Sequence, residues 1–312
     1  MRTRSIAGIL AGGIVAAAAA NRLRSSRVQP THPPVDGDRE TFRWRGFDVS
    51  FVTAGDPNRQ DVVLLHGLHP TASNREFRGI FGSLAGRHHV IAVDLLGFGG
   101  SDRPAIRYSG SLYAALIRDF LTEVADDAIV VASSLTGSLV ATVAAQADVA
   151  SLVLVNPIDE TGSAPSTVVR ELVRAPILGD AAFALLVSKP AIRYFDREVA
   201  YYDPDAVTED IVEAQYWSAH RRNARFAPTA ALAGFLDPSE PLETSLAAFD
   251  GPVTLVWGRE SVTPRLAAGR DLADAVDARL VVLDRSRLLP HDEHPDEFLE
   301  AIAPSLPGLE DD

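Results

Sequence analysis

Ala128-Ile-Val-Val-Ala-Ser-Ser134-Leu-Thr-Gly137-Ser-Leu-Val-Ala-Thr-Val-Ala144 is the stretch that decides the fold. A β-branched apolar run of strand type passes into a run of small and apolar residues of helical type, with two serines at the joint. A nucleophile held in so sharp a strand-to-helix turn needs small residues two before and two after it. Ala132 and Thr136 place that frame on Ser134 rather than on its neighbour Ser133. Ser134 then opens a helix, whose free N–H groups favour developing negative charge. The plain alternative is an ordinary strand-to-helix connection with incidental serines.

Outward from this joint the same strand type recurs. Asp61-Val-Val-Leu-Leu65, Val90-Ile-Ala-Val93, Ser151-Leu-Val-Leu-Val155, Pro252-Val-Thr-Leu-Val256 and Arg279-Leu-Val-Val-Leu283 are short apolar runs without alternation. Such runs are buried on both faces, as parallel strands covered by helices are. Thr41 to Thr53 instead alternates around Arg45-Gly46, as a hairpin does. The predicted fold class is therefore α/β, a doubly wound and mostly parallel sheet.

Between Asn156 and Asp250 the alternation of strand and helix stops. Ser166 to Val173 and Thr208 to Arg221 carry helical spacing instead. A helical insertion after the sixth strand reads as a cap over the carboxyl edge of the sheet, where ligands bind in such folds. The expected organisation is an apolar N-terminal segment over 1–24, a proline-rich linker over 25–40, a core formed by 41–156 and 246–306, and a cap over 157–245.

Composition removes several classes of function. The 312-residue chain carries 42 acidic against 29 basic residues, a formal net charge of −13, which repels phosphate and excludes nucleic acid as a partner. Without cysteine there is no disulfide, thiolate metal site or cysteine nucleophile. Lys189 is the only lysine. Acid-rich, lysine-poor chains suit concentrated salt, where the Debye length falls to about 3 Å at 1 M; a GC-rich genome gives the same arginine bias. Met1-Arg-Thr-Arg leads into the apolar run Ile6 to Ala20, followed by Arg22, Arg24 and Arg27. Three readings stay open: a membrane anchor through 5–20 with the domain on the cytoplasmic side, a cleaved signal, or an exposed helix on a cytoplasmic protein.

Three motifs arrive in order: His66-Gly67-Leu68 after one strand, Asp94-Leu-Leu-Gly-Phe-Gly-Gly-Ser-Asp102 after the next, and the Ser134 turn after the third. Together, over roughly residues 42 to 305, the chain resembles the α/β-hydrolase family, and within it capped esterase-type members of plant plastids and cyanobacteria. The resemblance implies Ser134 as nucleophile and the backbone amides of Leu68 and Leu135 as the oxyanion hole. It implies a structural role for His66, and it makes Asp94 and Asp102 ties of their loop.

The resemblance also exposes a gap. The family's acid follows the strand ending in Trp257-Gly258, and that position holds Ser261; the register set by Pro290, His291, Glu293, Pro295 and Phe298 puts Leu288 where the catalytic histidine belongs. Neither accepts a proton as a triad member must. Substitutes are His291 or His69 as base and Asp159 or Glu260 as acid, each of which reads equally as an ordinary loop or helix-start residue. No metal is expected, because His291 and His294 lack a third ligand of evident position. No cofactor is expected either, since Gly97-Phe-Gly-Gly100 does not open a helix as a phosphate loop does. The expected partner is a small apolar ester or ligand, with Trp217, Tyr201, Tyr202, Phe226 and Phe235 either lining its pocket or packing the cap. The function is accordingly a serine hydrolase of hydrophobic esters with an atypical triad, or a pseudoenzyme that binds an apolar ligand or partner; non-hydrolytic chemistry such as a lyase reaction is a third class.

Overall fold

The computed structural model describes residues 35–160, 167–175 and 177–306. Eight strands form one sheet: β1 (Asp38–Trp44), β2 (Phe47–Ala54), β3 (Asp61–Leu65), β4 (His89–Val93), β5 (Ala128–Ser133), β6 (Val149–Val155), β7 (Val253–Gly258) and β8 (Arg279–Leu283). Their order is β1-β2-β4-β3-β5-β6-β7-β8. β1 and β2 pair antiparallel, as do β2 and β4, while every other neighbouring pair is parallel. The hairpin turns at Arg45 and Gly46, with φ values of 47° and 87°. Two left-handed residues in a two-residue loop match the twist of the flanking strands.

The first strand begins at Asp38, inside the stretch read as linker, and Val35 is already buried. The reason is local: Gly37 lies directly against Thr53 and Val52 of β2, so the chain is recruited to the sheet before the hydrophobic alternation begins. The segments 1–24 and 25–34, including the 5–20 anchor reading, lie outside the described residues. Among the described residues no helix is long and apolar enough to cross a membrane.

Alternate residues of the inner strands go to opposite sides. Val63, Leu65, Val130, Ala132, Leu152 and Leu154 join one core cluster, and Val62, Leu64, Ile129, Val131, Val153 and Val155 join another. The sheet is thus covered on both faces, which is why its strands read as unbroken apolar runs. The covering helices of the core are α1 (Phe81–Ala85), α2 (Gly110–Val124) and α3 (Leu135–Ala144). Between β6 and β7 the chain leaves the sheet for α4 (Thr167–Arg174), α5 (Leu178–Leu186), α6 (Lys189–Phe195), α7 (Glu209–Ala219) and α8 (Phe226–Leu232), and returns through α9 (Leu242–Ala247). After β7 come α10 (Leu266–Val276) and, beyond β8, α11 (Pro290–Glu293) and α12 (Pro295–Ile302).

The insertion is tied to the segment that follows β8. Leu288 N–H donates to Ala200 O at 3.0 Å, Tyr202 N–H to Glu293 Oε2 at 2.6 Å, and the Tyr201 hydroxyl to Asp292 Oδ2 at 2.5 Å. Leu289, after β8, packs against Ile192, Tyr201, Val207 and Val212 of the insertion.

Candidate active site

β5 ends at Ser133, and Ser134 turns the chain with φ 54° and ψ −133° before α3 starts at Leu135. A non-glycine residue holds such a conformation only where its surroundings over-determine it. Here they do. Ser134 N–H donates to Val155 O at 2.9 Å, and Gly137 N–H to Ser134 O at 3.0 Å. The buried Thr136 hydroxyl donates to His66 O at 2.7 Å and so clamps the turn onto the end of β3. The Ser134 hydroxyl makes no capping bond to α3 and is half-buried, hence presented rather than consumed.

Opposite the turn stands the end of β3. Leu95 N–H donates to His66 Nε2 at 3.1 Å, which leaves the proton on Nδ1 for Gly67 O at 2.7 Å. Burial depresses the His66 imidazole below its ordinary range, so the ring is a neutral brace. Gly67 comes so close to the turn that a Cβ on it would lie 3.6 Å from Ser134 Cβ. The residues that follow each, Leu68 and Leu135, are the two expected oxyanion donors, and this approach brings their backbones to one corner. Asp94 accepts from Asn74 N–H and Gly100 N–H at 2.7 and 2.6 Å, and Asp102 accepts from Asp48 N–H at 2.9 Å. Both acids are ties of the Gly-rich loop, as expected.

The substitute residues are scattered by comparison. His291 is fully buried between Phe77 and Phe298, with Nε2 directed at Glu76 Oε1 across 3.4 Å. It faces a carboxylate rather than Ser134. Asp159 is exposed and accepts from Leu242 N–H at 2.6 Å, at the start of α9. Glu260 accepts from Ser286 N–H at 3.0 Å and pins the loop after β8. Leu288, at the histidine position, is held by its amide to Ala200 and by its carbonyl, which accepts from Asn156 Nδ2 at 3.0 Å. Ser261, at the acid position, is buried, and its Oγ has no hydrogen-bond partner among the described residues.

Glu76 is the residue that the sequence reading missed. It sits on a single 3-10 turn, Asn74–Phe77, and its buried carboxylate accepts from Gly67 N–H at 3.1 Å through Oε2. Burial works to raise its pKa. Interaction with His291 and His69 outweighs burial and holds the carboxyl well below its ordinary range, so it is ionised. His69 Nε2 stands 3.8 Å from Oε2, on the other side from His291. One buried carboxylate thus stands between two imidazoles, close to the residues that follow β3.

Of the five aromatic residues proposed to line a pocket, Tyr201 faces a small cleft of about 40 Å³ shared with His69, Thr71, Gln215, Ile211 and Leu289. Tyr202 is exposed, and the Trp217 indole N–H donates to Glu213 on its own helix at 2.9 Å. Phe226 lies between the guanidinium groups of Arg174 and Arg225, and Phe235 packs against the main core. The reading of these rings as cap packing fits the structure better than a continuous apolar lining.

The sequence matches the pattern of the Alpha/beta hydrolase family over residues 62–301. The chain belongs to this family. An uncharacterized Mycobacterium tuberculosis protein is 34% identical over 101 residues, which cover 31% of this chain and 28% of that one. The chain thus matches less than a third of that relative's length. A 2-hydroxy-6-oxo-6-(2'-aminophenyl)hexa-2,4-dienoic acid hydrolase of Metapseudomonas resinovorans is 25% identical over 284 residues, 82% of this chain and 86% of that enzyme. Among solved structures, a serine hydrolase involved in carbazole degradation superposes with a TM-score of 0.70 at 19% identity, covering 87% of this chain and 99% of the other.

Proposed function

We propose that this α/β-hydrolase is a serine hydrolase of small hydrophobic carboxylic esters, with Ser134 as nucleophile and the Leu68 and Leu135 amides as oxyanion donors. The observation that carries the reading is the backbone of Ser134, held at φ 54° with its hydroxyl left free of the helix cap. Strain of this kind costs on the order of 1–3 kcal/mol and is retained where it has a use. The partial match to a dienoic acid hydrolase and the fold shared with a serine hydrolase support the same class of chemistry.

A second reading is favoured by one specific feature, the occupation of the acid and base positions by Ser261 and Leu288. On that reading the pocket binds an apolar ligand or partner without turnover. Fluorophosphonate labelling separates the two. A competent nucleophile gives a covalent adduct on intact protein mass spectrometry that disappears in Ser134→Ala; absence of any adduct on wild-type protein supports the binding reading.

A further inference from the structure

Ser134 needs a base, and the hydrogen bonds around His69 assign the ring's protons. Thr71 Oγ1 donates to Oε1 of Gln215, on the cap, at 3.1 Å. With its proton so used, the Thr71 oxygen accepts from His69 Nδ1, 3.1 Å away. His69 therefore carries its proton on Nδ1, and a lone pair remains on Nε2. Each assignment in the chain forces the next.

The position of the ring fits its state. The point where a Cβ on Gly67 would stand is 3.6 Å from His69 Cδ2, 3.6 Å from Ser134 Cβ and 3.9 Å from Glu76 Oε2. Cδ2 is bonded to Nε2, so the basic edge of His69, the nucleophile and a buried carboxylate all surround Gly67. His69 is about one-third exposed, whereas His291 is fully enclosed. Contacts of this kind are often long in an unliganded site and tighten around the reacting group.

We infer that His69 is the general base of this enzyme, held in its working tautomer by Thr71 and the cap residue Gln215. The inference rests on the proposed role of Ser134. In acylation the Ser134 Oγ–H proton passes to His69 Nε2 as Oγ bonds to the ester carbonyl carbon. The tetrahedral adduct then collapses, the carbon–alkoxide bond breaks, and Nε2–H gives its proton to the leaving oxygen. Water attacks the acyl carbon in its turn, its proton moves to Nε2, and Ser134 recovers a proton as the acid departs. Glu76, 3.8 Å from Nε2, stabilises the imidazolium in both halves. Thr71 belongs to the core, while Gln215 belongs to the cap, so the base is correctly protonated only when the cap is seated.

The test uses the full chain, a nitrophenyl ester of short chain length and a fluorophosphonate probe. His69→Ala is expected to lower kcat and the labelling rate of Ser134 by about 10²–10⁴-fold, the usual contribution of a general base, and free imidazole restores part of the loss. Gln215→Leu lowers kcat by about tenfold or more at unchanged KM, while Gln215→Glu, which keeps an acceptor for Thr71, recovers most of it. Gly67→Ala is the variant that keeps the fold. Its methyl meets only contacts of 3.6 Å or more, yet it occupies the space shared by base and nucleophile, so kcat falls with no change in unfolding midpoint. If Ser134 labels and His69→Ala labels equally fast, the base is elsewhere and the role of Ser134 stands. A loss that imidazole does not restore and Gln215→Leu does not reproduce makes His69 a packing residue and overturns the proposal. A wild-type protein that never labels overturns the roles of both Ser134 and His69.

Discussion

The carboxyl rim of the sheet has two halves that have been treated differently. At the β3–β5 half, Gly67 and Ser134 meet closely, Thr136 clamps the turn, and charge is concentrated in Glu76 between two histidines. At the β7–β8 half, the loops carry Ser261 and Leu288, and their bonds are structural: Asn156 Nδ2 donates to both Arg287 O and Leu288 O at 3.0 Å, and Leu289 packs into the cap. The first half holds the strained turn and the buried charge, and the second ties the insertion to the sheet.

The contrast is broken most severely by removing the charge from the first half. Glu76→Gln removes the buried carboxylate that accepts from Gly67 N–H and faces His291, and disturbing such a buried polar group costs about 1–3 kcal/mol. The sign of the pH dependence follows from the depressed carboxyl. Glu76 contributes its stability above the unfolded value of 4.5, and that contribution is lost as the pH falls through the lower folded value. Urea unfolding of wild type and Glu76→Gln across the acid range is expected to show two curves that converge as the pH drops. Parallel curves would mean that Glu76 is not ionised in the fold.

Much of this was legible in the residues, and the part that was not has a physical cause. The strands were readable because both faces are buried, and Ser134 because its turn demands small neighbours. Thr136 reads as a tighter substitute for glycine, but a hydroxyl can also donate, and only the fold supplies His66 O as the acceptor. Glu76 was invisible because its partners, Gly67 and His69 in one loop and His291 far along the chain, come from two separate segments. One signal was available: Phe77, Ile80, Phe81 and Leu84 mark a core-facing run, and Glu76 is an acid at its edge. The absence of His and Asp from their family positions directed attention to neighbouring residues in sequence, whereas the fold had placed the charge across the rim.

Restoring the lost half sharpens the contrast further. Leu288→His returns an imidazole to the family position, yet Ser261 gives it no carboxylate and the backbone of residue 288 stays tied to Ala200. An imidazole without its orienting acid loses most of its value, so the gain in kcat/KM on a nitrophenyl ester is expected to stay below about tenfold, or about 1.4 kcal/mol. Adding Ser261→Asp to Leu288→His supplies the missing partner, and a larger gain in the double variant than the product of the single effects would show the two positions acting as a unit. A hundredfold gain from Leu288→His alone would mean that the β7–β8 half had kept its catalytic geometry after all.

The smallest effect is expected at Asp159, and its smallness is informative. From sequence this residue is a candidate acid, but its Oδ1 accepts from Leu242 N–H at 2.6 Å, where α9 leads the chain back to the sheet. The first N–H groups of a helix lack internal partners, so an exposed carboxylate there serves as a cap. Asp159→Ala should therefore cost about 0.5–2 kcal/mol in unfolding free energy, and kcat should hold within about twofold. A retained stability with a collapse of kcat would put the acid of the relay at β6, on the far side of Ser134 from His69. That result would transfer the charge of the site from the first half of the rim to a third place, and it would require a base other than His69.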